Sequence, residues 1–437
     1  MNEENNFLSL DDILNINPQE NKYALWGIEF NPFPRSGTSN INGSTDINFQ
    51  LNPLNGSNSQ EINRFIMDAL SPNKVDKSDR FLTLTIVGDY GSGKTQLLLY
   101  TMAVLNKLGA RQKFIKPYTI YIDNPGASVL EFLGNIIAKV GEENLRKYIW
   151  NSLIEKIKID TTIKEKLKPY TPDTNLLFGE DFKNDYDPYS DINTTSYKKF
   201  LDVFIRKLKP GQKHKFDEAL SEIVMGLLAD PSQTGDSTVA RYFYDFISSD
   251  FGANKTWEAL INGNLKQISG KESAVIKYII KLIKKEGYTD VFIFVDEFED
   301  ITEGRLTKIQ LDNYIHNLRT LLDKSREWCL LFAMNPLAID RLKSISPPLA
   351  DRIIVRRIDL DNLNVDEVKS LLDVYWKLTQ SAQPCPFTDD AISYMREITD
   401  GNARRILKMA FSILESAASQ KVNSVNESFV QNNLPTT

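Results

Sequence analysis

Short apolar runs alternate with longer segments of helical periodicity over much of the chain. The runs lie at residues 81–87, 118–122, 291–295 and 329–334, with a fifth predicted at 353–360, and the first of them is rich in β-branched residues, as buried parallel strands are. Between them, apolar residues three and four positions apart predict helices at residues 96–108, 128–140, 273–285 and 306–324. Strands that alternate with helices predict an α/β fold, here a parallel five-stranded sheet flanked by helices.

Residues 141–270 interrupt this alternation. Their pattern is mostly helical and is broken by an Asp- and Asn-rich loop at 171–195. Two strand–helix units take about 60 residues. Far more residues than that separate the first predicted strand from the third. We therefore predict a large helical insertion at about 141–270. It contains a basic run at 206–215, which is either a solvated helix end or a contact with nucleic acid phosphate.

The two ends of the chain differ from the centre in composition. Residues 1–80 are predicted to form an N-terminal segment with an aromatic strap at 23–34, a flexible polar loop at 35–58 and a short helix at 61–70. The strap either packs on a domain surface or lines an adenine pocket. Residues 361–437 have helical periodicity only and are predicted to form a small helical lid, which leaves 81–360 as the α/β core.

Composition narrows the classes of protein further. The chain has 437 residues, 41% of them hydrophobic and 25% charged, as in ordinary globular proteins. A net charge of −6 and a pI of about 5.3 give no global electrostatic reason to bind nucleic acid or an anionic membrane. Two cysteines fit a reducing compartment, and two histidines make a His-based metal site improbable. No apolar run approaches the roughly 20 residues of a membrane span, so we expect a cytoplasmic protein.

One stretch carries a specific chemical signal. Residues 88–95 read GDYGSGKT and match the phosphate-binding pattern G-x-x-x-x-G-K-[ST] between a predicted strand and a predicted helix. Glycines let the main chain turn its N–H groups toward phosphate oxygens, and a helix N-terminus adds a positive dipole end. Lys94 would reach the β- and γ-phosphates, and the Thr95 hydroxyl would hold Mg²⁺. The predicted nucleotide-binding residues are Gly88, Asp89, Tyr90, Gly91, Ser92, Gly93, Lys94 and Thr95.

Polar side chains follow the third and fourth predicted strands. Asp296 and Glu297 come directly after one, and Asn335 comes directly after the other. Open α/β sheets bind ligands at the carboxyl ends of their strands. We expect Asp296 to hold Mg²⁺ directly or through water, and Glu297 to orient or deprotonate an attacking water. Asn335 is expected beside the γ-phosphate, and the alternative is an ordinary turn residue.

Taken together, these motifs resemble those of the AAA+ ATPases, and especially the initiator clade that includes origin-recognition ATPases. The resemblance covers residues 81–140 and 272–420. It includes a Walker A motif at 88–95, a Walker B motif at 291–297, a sensor 1 strand at 330–335 and a lid signature, G-N-A-R, at 401–404. The resemblance implies ATP and Mg²⁺ as cofactors, bound to a P-loop core with a helical lid at a boundary between subunits.

The resemblance also implies two arginine roles. Arg404 matches the sensor 2 arginine of the lid, with Arg405 as its competitor. Arg352, in P-L-A-D-R, matches the arginine that reaches a neighbouring subunit, with Arg356 and Arg357 as competitors and a surface salt bridge as the alternative. A guanidinium is always charged and can fork onto phosphate oxygens, which suits both roles. The strap is similar to the N-terminal segment of secretion and transposition helper ATPases.

The leading interpretation is an ATP-hydrolysing module that assembles with copies of itself or with a partner protein. Such modules serve DNA transactions of the replication, transposition or phage-defence type. The alternative is a signalling switch that holds ATP or ADP and uses its helical insertion to bind a partner protein. A GTPase would need an Asn/Thr-Lys-x-Asp motif, which does not follow the third strand. A P-loop kinase would not need Asn335, Arg352 and Arg404 in this order.

Overall fold

A computed structural model describes residues 21–38, 47–48, 56–71, 82–167, 169, 197, 211–248, 257–325 and 327–434. Residues 1–20, most of the polar loop at 35–58, the loop at 171–195 and residues 206–210 of the basic run lie outside the described residues. The chain forms two compact units. The loop–lid unit comprises Met1–Gly56, Gly88–Tyr100 and Leu360–Thr437, and the sheet unit comprises Ser57–Val87 and Thr101–Asp359.

The strands form a single five-stranded sheet in the order β2-β3-β4-β1-β5. Their bounds are β1 Leu82–Gly88, β2 Pro117–Ile122, β3 Asp290–Val295, β4 Cys329–Met334 and β5 Arg357–Leu360. The β1–β4, β3–β4 and β2–β3 pairs are parallel, with Val87 opposite Met334 and Val295 opposite Phe332. Every residue of β4 is buried, which explains why its sequence is a continuous apolar run. The register brings the carboxyl ends of β1, β3 and β4 to one edge of the sheet.

Helices account for most of the remaining described chain. They are α1 Gly56–Leu70, α2 Lys94–Arg111, α3 Val129–Val140, α4 Glu142–Ile159, α5 Thr161–Leu167, α6 Lys213–Ala229, α7 Ser237–Ser248, α8 Trp257–Leu265, α9 Glu272–Lys285, α10 Glu299–Thr302, α11 Lys308–Lys324, α12 Pro336–Ile345, α13 Pro347–Ile353, α14 Val365–Lys377, α15 Asp389–Thr399, α16 Ala403–Ser419 and α17 Glu427–Asn432. The predicted fold class, an α/β P-loop sheet with a helical insertion and a helical lid, is confirmed.

The insertion shares its hydrophobic core with the sheet. Aromatic side chains of α7 pack together and against α9: the Tyr242 and Phe246 rings lie 4.8 Å apart, and the Phe243 and Tyr278 rings lie 4.7 Å apart. All four side chains belong to the same buried cluster as the strand residues Val291 and Leu330. Helices α4 to α8 therefore extend the core of the sheet unit and do not form a core of their own.

The N-terminal strap belongs to the core of the loop–lid unit. Trp26 is only 2% exposed, packs edge-on against Trp376 at 6.5 Å and donates its indole N–H to the Asn423 carbonyl at 2.9 Å. Phe33 packs edge-on against Phe387 at 5.9 Å. The Asn31 amide donates to a carboxylate oxygen of Glu415, on α16, at 2.9 Å. The strap is thus more deeply integrated than the surface segment that was expected.

Several element boundaries differ from the sequence-based expectation, among them the start of α1, which is Gly56 and not residue 61. The fifth strand begins at Arg357 and not at residue 353, because Pro347 and Pro348 occupy the first turn of α13, where proline favours a helix. Helix α2 continues past Gly109 to Arg111, so that glycine does not end it. No helix in the described ranges is long and apolar enough to cross a membrane.

We expect Trp26→Ala to destabilise the loop–lid unit by about 3–5 kcal/mol, the usual cost of truncating a buried aromatic side chain. Urea unfolding followed by circular dichroism would measure this change. Phe30→Ala, in the same strap but 52% exposed, is the matched control and should change stability little. Equal stability of the Trp26→Ala chain and the parent would contradict the packing described here.

Candidate functional site

The predicted phosphate loop lies between β1 and the first turn of α2. Gly91 and Gly93 have φ values of +83° and +101°, a region that other L-residues avoid. The Ser92 N–H donates to the Asp89 carbonyl at 3.2 Å and closes a turn. Helix α2 begins at Lys94, directly after the turn. The strand, glycine turn and helix N-terminus that the motif requires are therefore all present.

The Lys94 ammonium lies inside this turn. Its side chain is buried, and Nζ donates to the carbonyls of Gly88 at 2.9 Å and Asp89 at 3.2 Å. The Tyr90 ring lies beside it, with its centroid 5.9 Å from Nζ. A buried ammonium needs acceptors, and here the loop supplies them from its own main chain.

The lid contacts the loop at two carbonyl groups. The Asn402 side-chain amide donates to the Tyr90 carbonyl at 2.7 Å, and the Arg404 backbone N–H donates to the Gly91 carbonyl at 3.1 Å. A Cβ atom on Gly91 would lie 2.7 Å from Arg404 Cβ and from Asn402 Oδ1. Only glycine at position 91 therefore allows this close approach.

Of the two candidate sensor 2 arginines, Arg404 lies beside the loop. Its guanidinium carbon is 5.8 Å from the Tyr90 ring centroid, within the range of a cation–π contact. Its buried Nε has no hydrogen-bond acceptor among the described residues. Arg405 is exposed, and its backbone N–H binds the capping side chain of Asn402. This arrangement favours Arg404 as the lid residue that would meet an anion held by the loop.

The predicted magnesium carboxylate lies at the carboxyl end of β3. Asp296 is 4% exposed, and each of its oxygens accepts a hydrogen bond. Oδ1 accepts from the Glu297 N–H at 3.0 Å, and Oδ2 accepts from the Tyr121 hydroxyl at 2.7 Å. Burial, and then the Asp296 charge, raise the pKa of Tyr121 far above its ordinary value, so the phenol remains a donor. The sequence analysis missed Tyr121, because an aromatic residue in a strand is typical of core packing.

The predicted base, Glu297, has an unusual backbone. Its φ is +50°, which is rare for a residue other than glycine and costs about 1–3 kcal/mol. Strained residues of this kind cluster at functional sites. Burial raises the pKa of Glu297, and the charges of Asp300 and Asp296 raise it further, against an opposing effect of Arg305. The carboxylate is therefore a stronger proton acceptor than an ordinary glutamate.

Asn335 forms the N-cap of α12. Its Oδ1 accepts the Ala338 N–H at 2.7 Å, and its Nδ2 donates to a carboxylate oxygen of Glu303. The oxygen and the nitrogen of this amide therefore both form hydrogen bonds within the sheet unit. Asn335 therefore caps a helix, which differs from the ordinary turn residue given as the alternative, and an Nδ2 contact with phosphate would have to replace the contact with Glu303. Glu303 is a second residue that sequence analysis missed, because it lies 32 positions away.

The three candidate finger arginines each pair with a carboxylate in the sheet unit. Arg352 binds Asp323 at 2.5 Å through Nε, and its Nη1 donates to the Pro348 carbonyl at 3.0 Å. Arg356 binds Asp68, and Arg357 forks onto Asp359. The salt-bridge alternative is thus realised for Arg352 within the chain. A contact with a neighbouring subunit would have to replace that pair.

The donor atoms predicted for Mg²⁺ are oxygens. Magnesium takes hard oxygen ligands, commonly one or two carboxylates together with substrate phosphates, so a hydroxyl at Thr95 and a buried carboxylate at Asp296 fit its chemistry. Among the described residues, no group of three or more His, Cys, Asp or Glu side chains could hold a metal ion.

We predict that Asn402→Asp separates loop contact from helix capping. The aspartate keeps the oxygen that caps α16 but loses the N–H₂ that binds the Tyr90 carbonyl. Hydrogen exchange should become faster in the phosphate loop, while the free energy of unfolding changes little. Asn402→Ala, which removes both contacts, should in addition lose about 1 kcal/mol of capping stability. Unchanged loop exchange in Asn402→Asp would contradict the contact.

No protein-family model and no curated protein matches this chain by sequence. Solved structures do match. ORC2 of Aeropyrum pernix, in its ADPNP–ADP complexes, is 12% identical with a TM-score of 0.41 over 87% of this chain and 68% of that chain. ORC1 of Aeropyrum pernix, in complex with DNA, is 10% identical with a TM-score of 0.42 over 89% of this chain and 68% of that chain. Cdc6p from Pyrobaculum aerophilum is 10% identical with a TM-score of 0.34 over 86% of this chain and 66% of that chain.

The chain thus spans about two thirds of the length of these structures. Their similarity to this chain is limited to the general arrangement of the fold. A function for this chain is therefore inferred from its own residues. These similarities, at 10–12% identity, assign no family to the chain, and its resemblance to the AAA+ ATPases rests on its own motifs.

Proposed function

We propose that this chain is an AAA+ ATPase that binds and hydrolyses ATP with Mg²⁺. The observation that carries the proposal is the loop at 88–95, which has the glycine turn, the helix N-terminus and an enclosed lysine ammonium. The lid supports it by bringing Arg404, with a buried Nε that lacks an acceptor among the described residues, beside the same loop. These groups are the ones that recognise a polyphosphate.

In the proposed binding step, phosphate oxygens replace main-chain carbonyls as acceptors for Lys94. The Gly88 and Asp89 carbonyls that bind its ammonium are neutral, whereas a phosphate oxygen is charged and makes a stronger hydrogen bond. The N–H groups at the start of α2 and the Arg404 guanidinium add further donors. Thr95 and Asp296 would hold Mg²⁺, which neutralises charge on the β- and γ-phosphates when bound.

In the proposed hydrolytic step, Glu297 accepts a proton from the attacking water. The water oxygen forms a bond to the γ-phosphorus, the bond from that phosphorus to the β–γ bridging oxygen breaks, and ADP and phosphate leave. The raised pKa of Glu297 makes the carboxylate better suited to take that proton.

We further infer that the active form is an assembly, either of copies of this chain or with a partner protein. Arg352 lies on the short helix α13 with 35% of its side chain exposed, and it would act on a nucleotide held by the neighbouring subunit. The guanidinium would exchange Asp323 for a γ-phosphate, which develops charge during transfer. Arg356 is less exposed, and Arg357 forks onto Asp359 two residues away, which makes both weaker candidates.

The proposed process is a DNA transaction, and its support is the resemblance of the motifs to the initiator clade. Net charge gives no independent support, because the chain carries −6. The alternative is a signalling switch that retains its nucleotide and binds a partner protein through the insertion. ATPase rates with and without duplex DNA over a salt series separate the two, since phosphate contacts weaken steeply with salt.

We expect Lys94→Ala to abolish ATP binding, because it removes the charged donor at the centre of the loop. Glu297→Gln should keep ATP binding but slow hydrolysis by about 100-fold or more, the contribution of a positioned general base. Equilibrium binding of a fluorescent ATP analogue and phosphate release would measure the two effects. Parent-like turnover in Glu297→Gln would refute the assignment of the base.

The acid limb of the pH–rate profile provides a separate test of Glu297. A base must be deprotonated, so activity should fall as the pH drops through the raised pKa of Glu297. Asp300→Asn removes a negative charge that raises this pKa and releases Arg305, whose charge lowers it. Both effects lower the pKa, so the acid limb should move to lower pH. Asp340→Asn, an exposed change on α12, is the control. An acid limb that stays in place or moves upward in Asp300→Asn would argue against the assignment.

A further inference from the structure

The environment of the Asp296 carboxylate contains a phenol that the proposed mechanism does not use. Tyr121 lies on β2, the edge strand beside β3, and pairs with Phe294 in the register of the two strands. Asp296 follows Phe294 by two positions, and its N–H donates to the Ile122 carbonyl at 2.9 Å, so the strand pairing continues to that residue. Side chains two positions apart lie on the same face of a sheet. The Tyr121 ring therefore reaches diagonally to Asp296.

The contact is short and buried. The Tyr121 hydroxyl is 2.7 Å from Asp296 Oδ2, and the two residues are 9% and 4% exposed. The Glu297 N–H binds the other oxygen at 3.0 Å. Two hydrogen bonds on different oxygens fix the plane of a carboxylate, whereas one would let it rotate. A carboxylate oxygen accepts more than one bond, so these contacts are compatible with a metal ion or its bound water.

We propose that Tyr121 is a positioning residue for the magnesium site, holding the Asp296 carboxylate in the orientation that serves the metal. This inference rests on the function proposed above. Partners that bind a ligating carboxylate from behind set its direction and its donor strength, and their loss commonly weakens metal binding by about 10–100-fold. Tyr121 would touch neither nucleotide nor metal, so its effect is on metal affinity and not on the recognition of ATP.

The test compares the parent, Tyr121→Phe and Tyr118→Phe, each as the full chain. Tyr121→Phe keeps the ring and removes only the hydroxyl. Tyr118→Phe removes a hydroxyl from the same strand, but its ring packs against Tyr288 at 4.8 Å and lies three positions from Tyr121, on the opposite face. Mn²⁺ binding to the ADP complex, followed by electron paramagnetic resonance, measures metal affinity without turnover. Thermal unfolding with ADP alone measures nucleotide binding, and each variant serves as its own reference.

We expect ADP alone to stabilise all three proteins equally, and Mn²⁺ to bind about tenfold more weakly to Tyr121→Phe only. Parent-like Mn²⁺ affinity in Tyr121→Phe would overturn the inference and leave the proposed ATPase standing. Equal weakening in both variants would also overturn it, because the effect would then be a general loosening of β2. A parent that binds neither ADP nor Mn²⁺ would overturn the proposed function, and this inference with it.

Discussion

The parallel register of β1, β4 and β3 is the constraint on which the sheet unit depends. Val87 pairs with Met334 and Val295 lies opposite Phe332, so the three strands end within a residue or two of one another. A shift by one residue would turn every side chain of a strand to the other face. Asp296 and Asn335 are polar because they are the first residues beyond a buried strand, where the apolar requirement ends. The same register gives Tyr121 its diagonal reach to Asp296.

A different constraint organises the loop–lid unit. The lid buries the strap residues Trp26 and Phe33, so the N-terminal segment supplies core that the lid helices lack. Strap residue Gly37 runs close to α16, since a Cβ on it would lie 2.4 Å from the Arg404 carbonyl. The helix that carries Arg404 thus contacts the strap as well as the phosphate loop. The position of Arg404 is fixed by packing along the whole start of α16 and not by the guanidinium alone.

Features that follow from local chemistry could be predicted from the sequence. The bounds of β4 match the predicted run, because complete burial leaves no polar position within it. The phosphate loop was predicted because its glycines, lysine and flanking elements are adjacent in the chain. Tyr121 and Glu303 could not be found in this way, since their roles come from pairing across the sheet and from a contact 32 positions away. The start of β5 was misplaced because Ile353 and Ile354 continue an apolar pattern that the prolines before them convert into helix.

Three of the groups predicted to meet phosphate have partners within the chain. Lys94 binds two loop carbonyls, Asn335 binds Glu303, and Arg352 binds Asp323. The Lys94 side chain is buried, and a buried donor without an acceptor costs about 1–3 kcal/mol, so its two contacts stabilise the fold when no phosphate is bound. In the proposed binding step, nucleotide would exchange one acceptor for another, and the free energy of binding would be a difference between two sets of polar contacts. For Asn335 and Arg352, a phosphate oxygen would replace a carboxylate oxygen as the acceptor. Because both acceptors are anions, the exchange would bury little net charge. Under the proposed function, such an exchange would let a modest change, such as the arrival of a neighbouring subunit or the loss of the γ-phosphate, decide which partner each group holds.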